Sequence, residues 1–526
     1  MEFDLVIKNG TVVFGNLQEK KIINIGISNE KIVMITSDTI KGKEEIDVRG
    51  KIVAPGFIDP HTHSDLSAFF QGNMTSKLEQ GVTTEINGNC GVGIYPYDKS
   101  NWKNHKSFVE EHFSIPKEDF SLEEIQNLSA LKKFWNKKKF LINQGYLVAT
   151  GCLRIAVAGF STDKLNDKEL KKMLELLEEE LKNGSYGVSF GLIYQPGNFM
   201  DKEEIIEILK VVSKYEKVAS FHIRNEGFKV IESIKEVVYC AKASNCKVNI
   251  SHLKIMDKNL WGKSEEILEI INKAVKEGVK ITFDQYPYIA TSTTMMVLIP
   301  DYLFSGDIEK FIEKFPLNTE DKTSILEIIN NRGGVENILI SNSFMKDNKY
   351  SGKLLSEIVK ETQKDPVEII LEIIKISHGR ARAIYFSMDQ EDMFTFMKSP
   401  LGVVGSDGSS ISTTYDEQFG LPHPRNFATF PNFIEINKEK DFFSMEEMIN
   451  KMTYKTAQIF SIKDRGLIKE GYFADIVIFD YEKIKGASKY ENPFIKTEGI
   501  HYVIVNGKIA LENGKVRDAV RNGKFI

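Results

Sequence analysis

His61 and His63 stand one residue apart in GFIDPHTHSD, residues 56–65, in a chain with nine histidines among 526 residues. Residues i and i+2 of an extended strand face the same way. If Val53 to Asp59 feeds a strand, both imidazoles project from its C-terminal end toward one point, which is half of a metal site. Residues of similar chemistry recur at the ends of later β-like runs: Cys90 in NGNCG, Tyr194 in FGLIY, His222 in SFHIRNE, His252 in ISHLK, Asp284 and Tyr286 in FDQYPY, and Asp407 in GSDG. Alone, each of these reads as a buried polar side chain or a turn residue. Their recurrence at strand ends favours a shared centre. Thiolate and imidazole ligands suit zinc better than magnesium or calcium. A carboxylate such as Asp407, facing a metal-activated water, would serve as a general base.

The elements that must position these residues read as alternating strands and helices. The strands are FIDPHTH, GVTTEINGNCG, FLINQGYLVATG, YGVSFGLIY, VASFHIRNE, KVNISHLK, VKITFDQYPY and LGVVGSDG. Amphipathic stretches such as DKELKKMLELLEEELKNG and KSEEILEIINKAVKEG separate several of them. Eight such units predict an α/β fold, a (β/α)8 TIM-like barrel over residues 56–429, with its chemistry where the strands' C-terminal ends converge. The gap between the seventh and eighth strands is too long for one helix, and residues 299–398 read as an inserted helical lid subdomain. Residues 1–55 and 430–526 read as a small β-sandwich domain made by both termini plus a helical connection. VIKNGTVV and VIVNGKIA, with Asn-Gly turns, are candidate partners within it.

Bulk properties exclude several function classes. The net charge of −5 comes from interspersed acids and bases, with no basic stripe for nucleic acid. The N-terminus lacks the cationic, apolar pattern of a signal peptide, and no stretch has the apolar length of a membrane span. The four cysteines are too few for a disulfide framework and lack zinc-knuckle spacing, which fits a cytoplasmic protein.

Taken together, FIDPHTH, GNCG, HIRNE, SHLK, FDQYPY, GSDG and HPRNFATFP resemble the amidohydrolase superfamily, and within it the N-acyl-D-amino-acid deacylases, or D-aminoacylases. The resemblance spans nearly the whole chain. Cyclic-amide hydrolases of the superfamily usually carry a lysine at the end of strand four. Here that strand runs on as GLIYQPG, without one. The resemblance implies a tightly held zinc on Cys90, His222 and His252, with His61, His63 and Asp407 lining a second, weaker metal position. It implies that Asp407 acts as base and then acid. Tyr194, Tyr286 and Ser292 resemble the family's substrate-binding hydroxyls. Lys254 and Arg425 are the cations for a substrate carboxylate, and Arg224 is a further candidate by its i+2 relation to His222. The implied reaction is hydrolysis of an N-acyl-D-amino acid to a D-amino acid and a carboxylate. A D-dipeptidase or cyclic-amide hydrolase is the enzymatic alternative, and a non-catalytic barrel scaffold the third reading.

Overall fold

From Phe57 onward, short buried runs alternate with amphipathic helices, and in the computed structural model of the protein they build a barrel. The structure describes residues 2–70, 74–116, 121–137, 140–304, 306–517 and 520–526. The barrel strands are β1 (Phe57–Asp59), β2 (Val82–Asn87), β3 (Asn143–Tyr146), β4 (Gly187–Gly191), β5 (Val218–His222), β6 (Lys247–Ile250), β7 (Ile281–Gln285) and β8 (Gly402–Val404). They pair in parallel as two arcs, β1-β2-β3 and a six-stranded arc from Val148–Ala149 through β4 to β8. The chain itself joins the arcs at Leu147, and a parallel bridge between Thr62 and Gly408 joins β1 to β8 beyond their ends. Nearly every residue of these strands is buried, as expected when helices cover a parallel sheet. The helix Asp167–Lys182 starts with a capping box between Asn166 and Glu169. It lays Met173, Leu177 and Leu181 into a core shared with Ile205, Ile208 and Val212 of the next helix, Lys202–Lys214.

One expectation about the first strand needs correction. Val53 to Asp59 is not one strand. Ile52–Pro55 belongs to the terminal sheet and Phe57–Asp59 to the barrel, with the break at Gly56. A Cβ on Gly56 would fall 2.2 Å from the Thr83 hydroxyl, so the chain passes between the two sheets only where it has no side chain.

The terminal segments form one hydrogen-bonded nine-stranded sheet. Its ends curl toward each other, since Ile27 and Ile32 share a buried cluster with Ile504 and Ile509. VIKNGTVV and VIVNGKIA lie in this sheet without touching as partners, because Ile52–Pro55 and Ile476–Phe479 run between their strands. The boundary at residue 429 falls inside the helix Arg425–Lys440, whose Phe430, Phe433 and Ile434 pack with Phe57 and Val82 of the barrel.

The insertion is not purely helical. Thr291–Thr294, Ile338–Asn342 and Arg382–Tyr385 form a three-stranded antiparallel sheet, so the extra structure begins before residue 299. Helices Thr319–Asn331, Leu355–Thr362 and Pro366–Ser377 cover this sheet around their own apolar cluster. The last helix of the span, Gln390–Lys398, instead contributes Phe396 to the barrel core.

Candidate active site

The side chains expected to bind metal leave the C-terminal ends of the barrel strands, several of them on strained backbone. Cys90, His252 and Asp407 all have left-handed φ, at 55°, 37° and 52°. Such non-glycine residues cost of order 1–3 kcal/mol and concentrate at active sites. The Cys90 loop crosses the end of β4, where a Cβ on Gly191 would lie 1.9 Å from the Cys90 carbonyl oxygen. The glycine is therefore what lets the thiol reach the barrel axis.

The geometry brings these groups together. The Cys90 Sγ lies 3.2 Å from His61 Nε2 and 3.3 Å from His252 Nε2. Asp407 Oδ1 lies 3.4 Å from His61 Nε2 and 3.1 Å from His63 Nε2. Ligand atoms of His61, Cys90, His252 and Asp407 all fall within 4.8 Å of one another, and those of His222, Glu226 and His252 form a second such group. The expected ligands fall across these two groups, which share His252, with Cys90 in the first and His222 in the second, and His222 stands close enough to Cys90 to help lower its thiol. The rings of His222 and His252 still meet edge to face at 4.4 Å.

Electrostatics prepare the sulfur. Burial alone would raise the Cys90 thiol, yet the adjacent His61 and His252 hold it well below the usual thiol range. Burial likewise opposes charge on Asp407, but Arg425 and His252 keep its carboxyl well below the ordinary carboxylate range. Arg425 Nη1 stands 2.8 Å from Asp407 Oδ2, with both side chains 7% exposed.

The cavity over this centre has a volume of about 210 Å³. Tyr194, Ser292 and Arg425 line it. Tyr194 Oη is hydrogen-bonded to Thr293 Oγ1 at 3.0 Å, and Arg425 Nη2 donates to the Ser292 carbonyl at 3.1 Å. Lys254 and Tyr286 lie behind this wall. Lys254 Nζ is 2.8 Å from His252 Nδ1 and is also bonded to Glu226. Tyr286 is buried, with the Arg425 guanidinium 5.1 Å from its ring centre. Arg224 corrects an expectation. Its Nε and Nη2 grip Glu236 at 3.0 and 3.1 Å, while Nη1 and Nη2 cap the carbonyls of Asn198 and Met200. It is a structural clamp, placed there because β5 stops at His222 and strand alternation does not extend to residue 224.

Four further charged groups shape the site. Glu226 neutralises Lys254 and approaches His252 Nδ1 at 3.0 Å and His222 Nε2 at 3.5 Å. Its position four residues after His222 in HIRNE was the available signal. Asp284 at the end of β7 accepts from the His252 backbone N–H at 2.8 Å and sits 2.9 Å from His61 Nδ1, orienting the ring as carboxylates beside metal-binding histidines do. Its place at a strand end was visible, but its role was not. Arg332 and Arg382 reach the cavity from the insertion, and no local motif marks them.

The residues present fit a zinc centre. A thiol held toward thiolate, converging imidazoles and a carboxylate form a donor set suited to that ion. Both ring nitrogens of His222 are buried without a hydrogen bond among the described residues, as a histidine reserved for a metal would be.

Comparison with known proteins agrees. The model of the amidohydrolase family matches residues 44–110 and 366–511. A D-aminoacylase of Alcaligenes xylosoxydans xylosoxydans is 30% identical over 509 residues, covering 96% of this chain and 94% of the relative. The structure of an N-acyl-D-glutamate deacylase from Bordetella bronchiseptica, complexed with zinc and a phosphonate mimic of the tetrahedral intermediate, superposes with a TM-score of 0.83. It is 26% identical, over 100% of this chain and 99% of that one. A D-aminoacylase structure concerned with a binuclear metal centre gives a TM-score of 0.81 at 27% identity, covering 99% of each chain.

Proposed function

The chain belongs to the amidohydrolase family, among its D-aminoacylases, and from that premise we infer that it hydrolyses N-acyl-D-amino acids to a free D-amino acid and a carboxylate. The enzyme acts on linear amides and uses zinc. The observation that carries the reading is the convergence of Cys90, His61, His252 and Asp407, three of them lining one cavity with His61 buried behind, and the Asp407–Arg425 ion pair at its side.

We propose that Cys90, His222 and His252 hold the tight zinc, and that His61, His63 and Asp407 line a second, weaker position. Zinc there would polarise the amide carbonyl and acidify a nearby water. Asp407 takes the proton of the attacking water and returns it to the nitrogen as the C–N bond breaks. Arg425 holds Asp407 in place and, with Ser292 and Tyr194, faces the substrate carboxylate. Lys254 and Tyr286 support this wall from behind, Lys254 by fixing Glu226 and the His252 ring. The stereochemical reading is tested by offering the zinc-loaded enzyme N-acetyl-D- and N-acetyl-L-amino acids in parallel. Turnover of the D series alone is expected, and turnover confined to the L series would reverse the assignment.

The insertion supplies Arg332, Ser341, Asn342, Phe344 and Arg382 to the cavity wall, which supports reading it as a lid that shields the bound substrate from water. Limited proteolysis should cut between residues 299 and 398 in the free enzyme and be suppressed by a saturating phosphonate analogue. Identical cleavage with and without the analogue would remove the lid. Among the described residues, no helix is long and apolar enough to cross a membrane. All four cysteines are free and buried, which supports placing the protein in the cytoplasm, to be checked by cell fractionation.

A further inference from the structure

The catalytic cavity is small for the site it serves. Its roughly 210 Å³ lies below the range of about 300–1,000 Å³ typical of small-molecule sites. A second chamber of about 470 Å³ adjoins it. The two share Ile193, Tyr194, Glu226, Met256, Val297 and Arg332 as a common wall. The hydrogen bond from Tyr194 to Thr293 spans part of that wall, tying the loop after β4 to the insertion's sheet. Beyond it, Met296, Ile299, Phe304 and Ile328 of the insertion face Leu192 and Phe228 of the barrel loops.

We propose that this second chamber holds the acyl chain of the substrate, so that the enzyme favours N-acyl groups with an unbranched hydrocarbon well beyond acetyl. The inference rests on the deacylase reading and deepens it. Two observations choose the acyl half over the amino-acid half. The departing nitrogen must reach Asp407, which is paired with Arg425, and Arg425 lines the catalytic cavity only. The carboxylate and the side chain beside it therefore stay on that side, and the acyl carbon points the other way, past His222 and Tyr194. Charge agrees with this order. The chamber is edged by Glu111, Asp257 and Asp301, its Glu226 is neutralised by Lys254 and its Arg224 by Glu236, and Arg332 stands on the wall it shares with the catalytic cavity. An anionic carboxylate is disfavoured there, whereas a hydrocarbon carries no charge to repel.

The test compares N-acetyl-, N-hexanoyl- and N-octanoyl-D-alanine on the zinc enzyme, alongside N-acetyl-D-amino acids of increasing side-chain length. Burying a methylene is worth about a fourfold gain in kcat/KM. The hexanoyl substrate should therefore exceed the acetyl one by at least ~30-fold, a gain smaller than full burial of four methylenes would give. Ile328 lines the second chamber and not the catalytic cavity. Ile328→Trp should collapse the octanoyl-to-acetyl ratio. Ile328→Ala, the gentler change, should move the best chain length upward. A flat or falling acyl series would overturn the proposal while leaving the deacylase reading intact. So would a gain confined to the side-chain series, or a chain-length profile unmoved by either variant. Failure of every D substrate would remove the deacylase reading and this proposal with it.

Discussion

Asp407→Asn should lower kcat by roughly 100- to 10,000-fold, the range for loss of a positioned acid–base group. The substitution is nearly isosteric. Asparagine tolerates left-handed backbone about as well as aspartate, so the φ of 52° is no obstacle. What disappears is the basic carboxylate, whose Oδ1 faces His61 and His63 and whose Oδ2 faces Arg425. Stability should fall as well, because Arg425 loses its anionic partner in a buried setting, and breaking a buried pair from one side costs about 3–5 kcal/mol at the upper end. The amide oxygen can still accept from Arg425, so the true cost should lie below that range. Turnover and thermal melting are therefore measured together, with the tight zinc content as a third readout. A folded, zinc-loaded variant with near-normal kcat would mean that another group moves the proton.

Cys90→Ser is the second large effect, and it acts on the metal before the chemistry. A serine oxygen is a harder and weaker zinc ligand than thiolate, and the Cys90 sulfur lies 3.2 Å from His61 Nε2 and 3.3 Å from His252 Nε2. Changing even an outer-shell partner of a metal ligand commonly costs about 10- to 100-fold in affinity. Losing the thiolate itself should cost at least the upper part of that range. Zinc retained after dialysis against a chelator, measured beside kcat, should fall with it. Full zinc occupancy and unchanged turnover would take Cys90 out of the metal's coordination sphere. The pair of variants also separates two roles: Asp407→Asn should lose turnover while keeping tight zinc, and Cys90→Ser should lose both.

Much of this was legible in the sequence because strand ends are marked by composition. Short apolar runs stopping at Cys90, His222, His252 and Asp407 announce a barrel mouth, and period-two alternation suggests which neighbours share a side. That logic fails where strands stop early. β6 ends at Ile250, and the left-handed turn at His252 then sets the direction of Lys254, which goes to Glu226. Alternation from His222 to Arg224 fails for the same reason. The sheet inside the insertion was missed because TSTT and RAIY are four-residue strands with little apolar contrast. Arg332 and Arg382 were invisible because they reach the cavity only after the insertion has folded over the barrel. No local pattern encodes a contact between segments so far apart in the chain.

The sheet shared by the two termini bears on how the protein is made. Ile52–Pro55 is flanked on one side by Ile476–Phe479, about 420 residues later in the chain. At a synthesis rate of about 5–20 residues per second, the early strand waits on the order of tens of seconds for its neighbour. During that time Ile52 and Ala54, which end in a buried cluster with Val477 and Phe479, have not met those partners. The barrel strands that follow are largely local pairings and can form meanwhile. The nascent chain thus carries an open strand edge beside a part-built barrel, the kind of surface on which chains aggregate or chaperones bind. Slow translation late in the message would lengthen that exposure, and rapid completion of the last segment would shorten it.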